Sequence, residues 1–202
     1  MSQANALRDH PNIVKLQRRL STPENTPNSS EVNPTAREAA VALMLRTTPV
    51  STLEMLMIRR AEFEGDPWSG NVALPGGRRD PGDDSLEDTV IREVREETAI
   101  DLTTDGTILG VLASVQPLSQ TSPPLVVLPY VASIRSEAKI VPNQEVAQAF
   151  WLPLEELRRS DRWQQTTMTI RGKSRQLPCF RYKDYIVWGM TERILQDFVR
   201  YL

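Results

Sequence analysis

The chain has 202 residues, enough to bury one good core with room for a tail or an insertion but tight for two full domains. Lys and Arg total 24 against 26 for Asp and Glu, and a net charge of −2 gives no field favouring nucleic acid or an anionic membrane, so a small-molecule partner is expected. A single cysteine, Cys179, excludes an intramolecular disulfide, and a single histidine, His10, removes the usual general base and most zinc or serine-hydrolase schemes, leaving acid–base and metal work to carboxylates. No apolar run approaches the roughly 18 residues of a spanning helix, and the first residues lack the order of a secretory signal; a cytoplasmic protein is expected.

In chain order, residues 4–20 carry Leu7, Ile13, Val14, Leu16 and Leu20 at loosely helical spacing, with Pro11 interrupting any single long helix. Residues 21–34, rich in Pro, Asn and Ser, read as a flexible connection. The expected organisation is therefore an arm and linker, 1–34, and a compact domain, 35–202; the arm either swaps onto a partner subunit in a homodimer or stays mobile. Residues 39–45 and 53–58 suggest two strands, followed by a loop, 61–73, with Gly65, Pro67 and Gly70. Turn chemistry in L-P-G-G-R-R-D-P-G-D-D then yields at Ser85 to a helix reaching about Thr98, with Ser85 as cap and Asp88 three residues on. Strands are expected at 107–115, 126–134 and 145–151, with 116–124 as a substrate loop. A helical turn at 154–158, a hairpin about Gly172 and a closing amphipathic helix over 186–202 complete the pattern.

Within Arg92-Glu93-Val94-Arg95-Glu96-Glu97, a rotation of ~100° per residue places Glu93 and Glu97 one turn apart with Glu96 on the flank of the same face. Leu86, Val90, Val94 and Thr98 fall on another face and suit burial. Like charges at this spacing repel by roughly 0.2–0.5 kcal/mol a pair, and a divalent cation converts that repulsion to attraction. Oxygen-only ligands select a hard ion, Mg²⁺ first and Mn²⁺ as a substitute. On charge pattern alone the stretch also reads as a solvated helix face neutralised by Arg92 and Arg95. The neighbouring Gly-Gly turn with Arg78 and Arg79 favours phosphate chemistry, because exposed backbone groups, guanidinium forks and a cation together suit a diphosphate.

The string from Gly77 to Ile100, G-R-R-D-P-G-D-D-S-L-E-D-T-V-I-R-E-V-R-E-E-T-A-I, resembles the Nudix box, G-x5-E-x7-R-E-U-x-E-E-x-G-U with U apolar. Arg92 to Glu97 match its core without a gap. Three departures stand out: the first acidic position is Asp83, one residue is inserted before Arg92, and Ala99 replaces the late glycine. The long box with an early aspartate, and V-W-G-M-T at Val187 to Thr191, are similar to the coenzyme A pyrophosphatase branch. That branch's upstream signature is matched at Gly70 and at Pro75-Gly76-Gly77, but the segment E-F-E-G-D-P-W-S lacks its arginine and is one residue too long.

The resemblance implies an α/β/α sandwich around a mixed sheet and a pyrophosphohydrolase acting on a nucleoside-diphosphate derivative. Coenzyme A or its acyl esters are favoured over ADP-ribose or dinucleotides, and a non-catalytic nucleotide-binding module ranks below the enzyme. It further implies Glu93, Glu96 and Glu97 as metal-binding carboxylates with the Gly77 carbonyl, and Arg92 fixing the helix by pairing with a carboxylate, Asp83 standing at the first acidic position. Glu93 and Glu145 are alternative general bases, and Arg59, Arg60, Arg78 and Arg79 are candidates for the diphosphate clamp. Trp151, Trp188 and Phe180 read as core, whereas Trp68, in a Gly-Pro loop, is the aromatic best suited to a site.

Overall fold

A computed structural model describes residues 10–20, 36–66, 68–117, 123–170 and 172–202. The expected linker and the centre of the expected substrate loop lie outside these residues. Helix α1 (Pro11–Leu20) is followed by strands β1 (Arg37–Thr47), β2 (Leu53–Arg60), β3 (Val72–Ala73) and β4 (Gly76–Arg78), and then by helix α2 (Leu86–Thr98). Next come β5 (Gly106–Val111), β6 (Leu125–Ile134), β7 (Val146–Pro153), a single turn α3 (Leu154–Leu157), β8 (Trp163–Ile170), β9 (Lys173–Tyr182), β10 (Tyr185–Trp188) and helix α4 (Gly189–Val199).

The main sheet is mixed, in the order β3-β2-β1-β6-β5, with β4 on β1 and β7 on β2. β1 and β6 run parallel over nine residue pairs from Arg37↔Leu125 to Leu45↔Ser133, while the other pairings in this sheet are antiparallel. β1 and β2 hold each other only near their turn, from Leu45↔Met55 to Thr47↔Leu53, and then part. β3 pairs with β2 and β4 with β1 beyond that point, so the turn at Pro75-Gly76 enters the split between the two strands. Ala42 N donates to Pro75 O at 2.8 Å, and a Cβ at Gly76, whose φ is +140°, would overlap the Ala40 carbonyl; glycine is required here.

Alternation along the strands sends side chains to two cores. Leu43 and Leu45 of β1, Met55 and Met57 of β2 and Val131 of β6 join α1, α4 and the β9–β10 hairpin on one face. Ala40, Ala42, Met44, Leu56, Tyr130 and Ala132 meet Val90 and Val94 of α2 on the other. The three alanines let the helix approach the sheet closely. This is the α/β/α layering expected from the sequence. Among the described residues no helix is long and apolar enough to cross a membrane.

Pro11, expected to break any long helix, is the first residue of α1, where its missing N–H and fixed φ suit the start of a helix. Two expectations change. Ile13, Leu16 and Leu20 are buried in the main core, so this part of the expected arm packs as part of the fold. Residues 185–188 form a strand before the last helix begins at Gly189, because Lys183 (φ 51°) closes a hairpin that pairs Trp188 with Cys179.

Ser85 caps α2, accepting from Asp88 N at 3.1 Å and donating to Asp88 Oδ2 at 2.6 Å. At the other end Ala99 is left-handed, φ 58° and ψ 17°, with its N–H bonded to Arg95 O. A left-handed residue other than glycine costs roughly 1 kcal/mol. Ala99→Gly is therefore expected to stabilise the fold by about 1 kcal/mol, read as a higher urea midpoint at an unchanged slope.

Candidate active site

Helix α2 presents its acidic face to the turn held in the split of the sheet. Glu97 is 3% exposed, and its Oε2 accepts the Gly76 N–H at 2.8 Å. Glu93 lies against Gly77, where an added Cβ would sit 2.5 Å from the carboxylate carbon; glycine leaves room for that group. Glu96 points outward with 53% of its side chain exposed.

Arg92 stands among these groups. Its Nε and Nη2 form a fork on Asp83 at 3.0 and 2.9 Å, Nη1 meets Glu93 at 2.9 Å and Glu96 at 3.4 Å, and Nη2 also reaches the Arg78 carbonyl at 3.1 Å. Asp83 accepts from Asp80 N and the Thr89 hydroxyl as well, tying the loop to the helix. The Arg92 bonds hold its carboxyl well below the usual range against the opposing effect of burial. Asp83, one position off the familiar spacing, thus sits where it binds the box arginine.

Burial pushes the Glu97 carboxyl up to about 7, with the charges of Glu93 and Glu145 adding to the shift and the Gly76 N–H and the Arg60 charge opposing it. Glu93 is also raised, first by burial and then by Glu96 and Glu145, while Arg92 opposes. Glu145 reaches this neighbourhood through the segment before β7. Asn143 N donates to Glu97 O at 3.3 Å, Glu145 N to Asn143 Oδ1 at 2.8 Å, and Ala61 N to Glu145 O at 2.8 Å.

Among the described residues no three acidic, His or Cys side chains converge in the arrangement of a ready-made cation site. The reason is Arg92, which draws Glu93 and Glu96 toward itself while Glu97 turns to Gly76. The donor set fits a hard divalent cation: carboxylates whose pKa values are raised first by burial and then by one another's charges lie directly against the Gly76 and Gly77 backbone.

The arginines divide. Arg60 lies near enough to Glu97 to favour its ionised form and is held by Asp66, Nη2 to Oδ2 at 3.0 Å. Arg59 is 46% exposed with only a 3.8 Å contact to Glu62, and among the described residues the Arg78 guanidinium has no side-chain partner. Arg79 departs from the expected clamp role. Its guanidinium is engaged by Glu38 and by the Asp83 and Asp84 carbonyls, so it braces the loop. Sequence reasoning missed Asp66 and Asn71, polar loop residues whose partners lie on other elements.

A sheet split by a glycine turn, with an acidic helix docked on that turn through Arg92 and Glu97, defines the class: the chain belongs to the Nudix family of hydrolases, enzymes acting on pyrophosphate bonds. The NUDIX domain model matches residues 35–170. Nudix hydrolase NudL of Yersinia pestis (strain Pestoides F) is similar at 32% identity over 186 residues, covering 91% of this chain and 89% of the relative. The same figures hold for NudL of Yersinia pseudotuberculosis serotype O:1b (strain IP 31758). In fold, the chain resembles a MutT/nudix family protein from Enterococcus faecalis, with TM-score 0.55, 22% identity and coverage of 82% of this chain and 61% of that one. A C. elegans Ap4A hydrolase binary complex gives TM-score 0.50 at 21% identity, covering 60% and 82%. Nudix hydrolases generally use divalent metal ions such as Mg²⁺.

Below the ordinary carboxylate value of 4.5 both folded and unfolded chains hold the Glu97 proton; between 4.5 and about 7 the unfolded chain releases it while the folded chain, in which burial disfavours the charge, keeps it. Without divalent ions, stability should fall by on the order of 3 kcal/mol as pH rises from about 4.5 to 7, then level off. Thermal melts in a chelator between pH 5 and 8 are expected to show this decline, Mg²⁺ to reverse it, and Glu97→Gln to flatten it.

Proposed function

We propose that this chain is a Mg²⁺-dependent pyrophosphohydrolase of nucleoside-diphosphate derivatives, with coenzyme A or its acyl esters as the favoured substrate. The observation that carries the reading is the buried Glu97 carboxylate on Gly76 N–H, close enough to Glu93 and Glu145 for the three charges to oppose one another. Glu93, Glu96 and Glu97, with the Gly77 carbonyl, would hold Mg²⁺ or Mn²⁺. Bound there, the ion neutralises diphosphate charge and makes water a better nucleophile.

The remaining work falls to the chain's own side chains. Arg60, Arg59 and Arg78 bind and orient the diphosphate oxygens. Glu145 is preferred to Glu93 as the base accepting the water proton, because among the described residues it has no side-chain partner while Glu93 is paired with Arg92. Arg92 positions the helix through Asp83. The coenzyme A preference rests on the long box with its early aspartate and on V-W-G-M-T; ADP-ribose and dinucleotides are the alternative, since the upstream signature is incomplete.

Glu97→Gln preserves an acceptor for Gly76 N–H but removes the charge. It is expected to lower Mg²⁺-dependent turnover by roughly 10²-fold or more without loss of folded structure by circular dichroism, and normal turnover in that variant would overturn the metal assignment. Coenzyme A, ADP-ribose, diadenosine polyphosphates and NADH should be assayed together by product analysis. A phosphopantetheine product from coenzyme A is expected; its absence rejects that substrate.

A further inference from the structure

Trp68 is 46% exposed, while the other three tryptophans are at least half-buried. Trp151 lies beneath the Arg46 guanidinium at 3.7 Å, and Trp163 packs on Phe180 while donating to Leu157 O. Their rings have structural employment. Trp68 instead meets Trp188 at 5.9 Å between ring centroids and a 41° tilt, and remains substantially open to solvent. An aromatic surface of that size exposed on a loop suits a planar ligand.

The pair is built into the same scaffold as Arg60. Asp66 accepts from Trp68 N through Oδ1 at 3.0 Å and from Arg60 Nη2 through Oδ2 at 3.0 Å. Asn71 accepts from Trp188 Nε1 at 3.1 Å through its side chain and from Arg60 N at 3.0 Å through its carbonyl, and its own N–H donates to Trp68 O at 3.3 Å. Two loop residues therefore fix both rings relative to an arginine assigned above to the diphosphate. In a nucleoside diphosphate only a ribose separates base from phosphate, so a ring bound beside that arginine is the base.

We propose that Trp68 and Trp188 form the wall on which the base of the substrate stacks, with Trp68 as the open face; this subsite rests on the pyrophosphohydrolase reading. Calorimetric titrations in Mg²⁺ with ADP and with methylenediphosphonate, which has no base, test it on the full chain. Trp68→Ala is expected to weaken ADP about tenfold or more while leaving the diphosphonate affinity unaltered, and Trp68→Phe to retain most ADP affinity. With whichever substrate is turned over, the loss should fall on KM more than on kcat. Wild-type affinity for ADP in Trp68→Ala, equal weakening of both ligands, or no ADP binding by the wild type would overturn the proposal. Base-dependent binding that survives a failure to bind the diphosphonate would support the stacking wall while counting against the diphosphate clamp.

Discussion

The bond from Gly76 N–H to the buried Glu97 carboxylate joins two elements that neither sheet nor helix packing alone would bring into register. Gly76 sits in the gap between β1 and β2, backed against Ala40 so closely that no side chain fits. Glu97 sits three residues past Val94, whose burial in the core sets the rotation of α2. Each half fixes the other: the turn is deep because the sheet splits, and the carboxylate can be buried because the turn offers an N–H. A buried carboxylate with one strong donor and two neighbouring negative charges is a costly arrangement by itself. Such an arrangement is consistent with a positive ligand.

Arg92 balances the other side of the helix. One guanidinium serves Asp83, Glu93, Glu96 and the Arg78 carbonyl, linking the loop's acidic residue with two box glutamates. Charge-assisted bonds of this kind hold direction as well as energy, and lysine with its single ammonium lacks the planar fork that Asp83 receives.

The local regularities were legible in the sequence. Ser85 and Asp88 mark the start of α2, the R-E-V-R-E-E spacing gives its acidic face, and apolar runs on either side of a turn mark β1 and β2. What escaped depended on long-range contacts. Tyr185 to Trp188 carry a pattern compatible with helix, and only pairing with β9 makes them a strand. Arg79 and Arg78 are indistinguishable as neighbours in a string; the partners on Glu38 and on the carbonyls before α2 separate a brace from an open guanidinium. Asn71, one polar residue in the 61–73 loop, ties Trp188 to the strand bearing Arg60 through partners distant in sequence.

Helix α1 carries a consequence for how the domain is cut. The family model begins at residue 35, but Ile13, Leu16 and Leu20 are all but inaccessible within the principal core, and Leu20 rests on Gly110, where a Cβ would come within 2.8 Å of it. The Arg19 guanidinium donates to Tyr201 O at 2.8 Å, so the helix also fastens the far end of the chain. A fragment trimmed to the family boundary would therefore uncover an oily seam over β5 and the last helix. The core that folds thus reaches beyond the residues the family model matches.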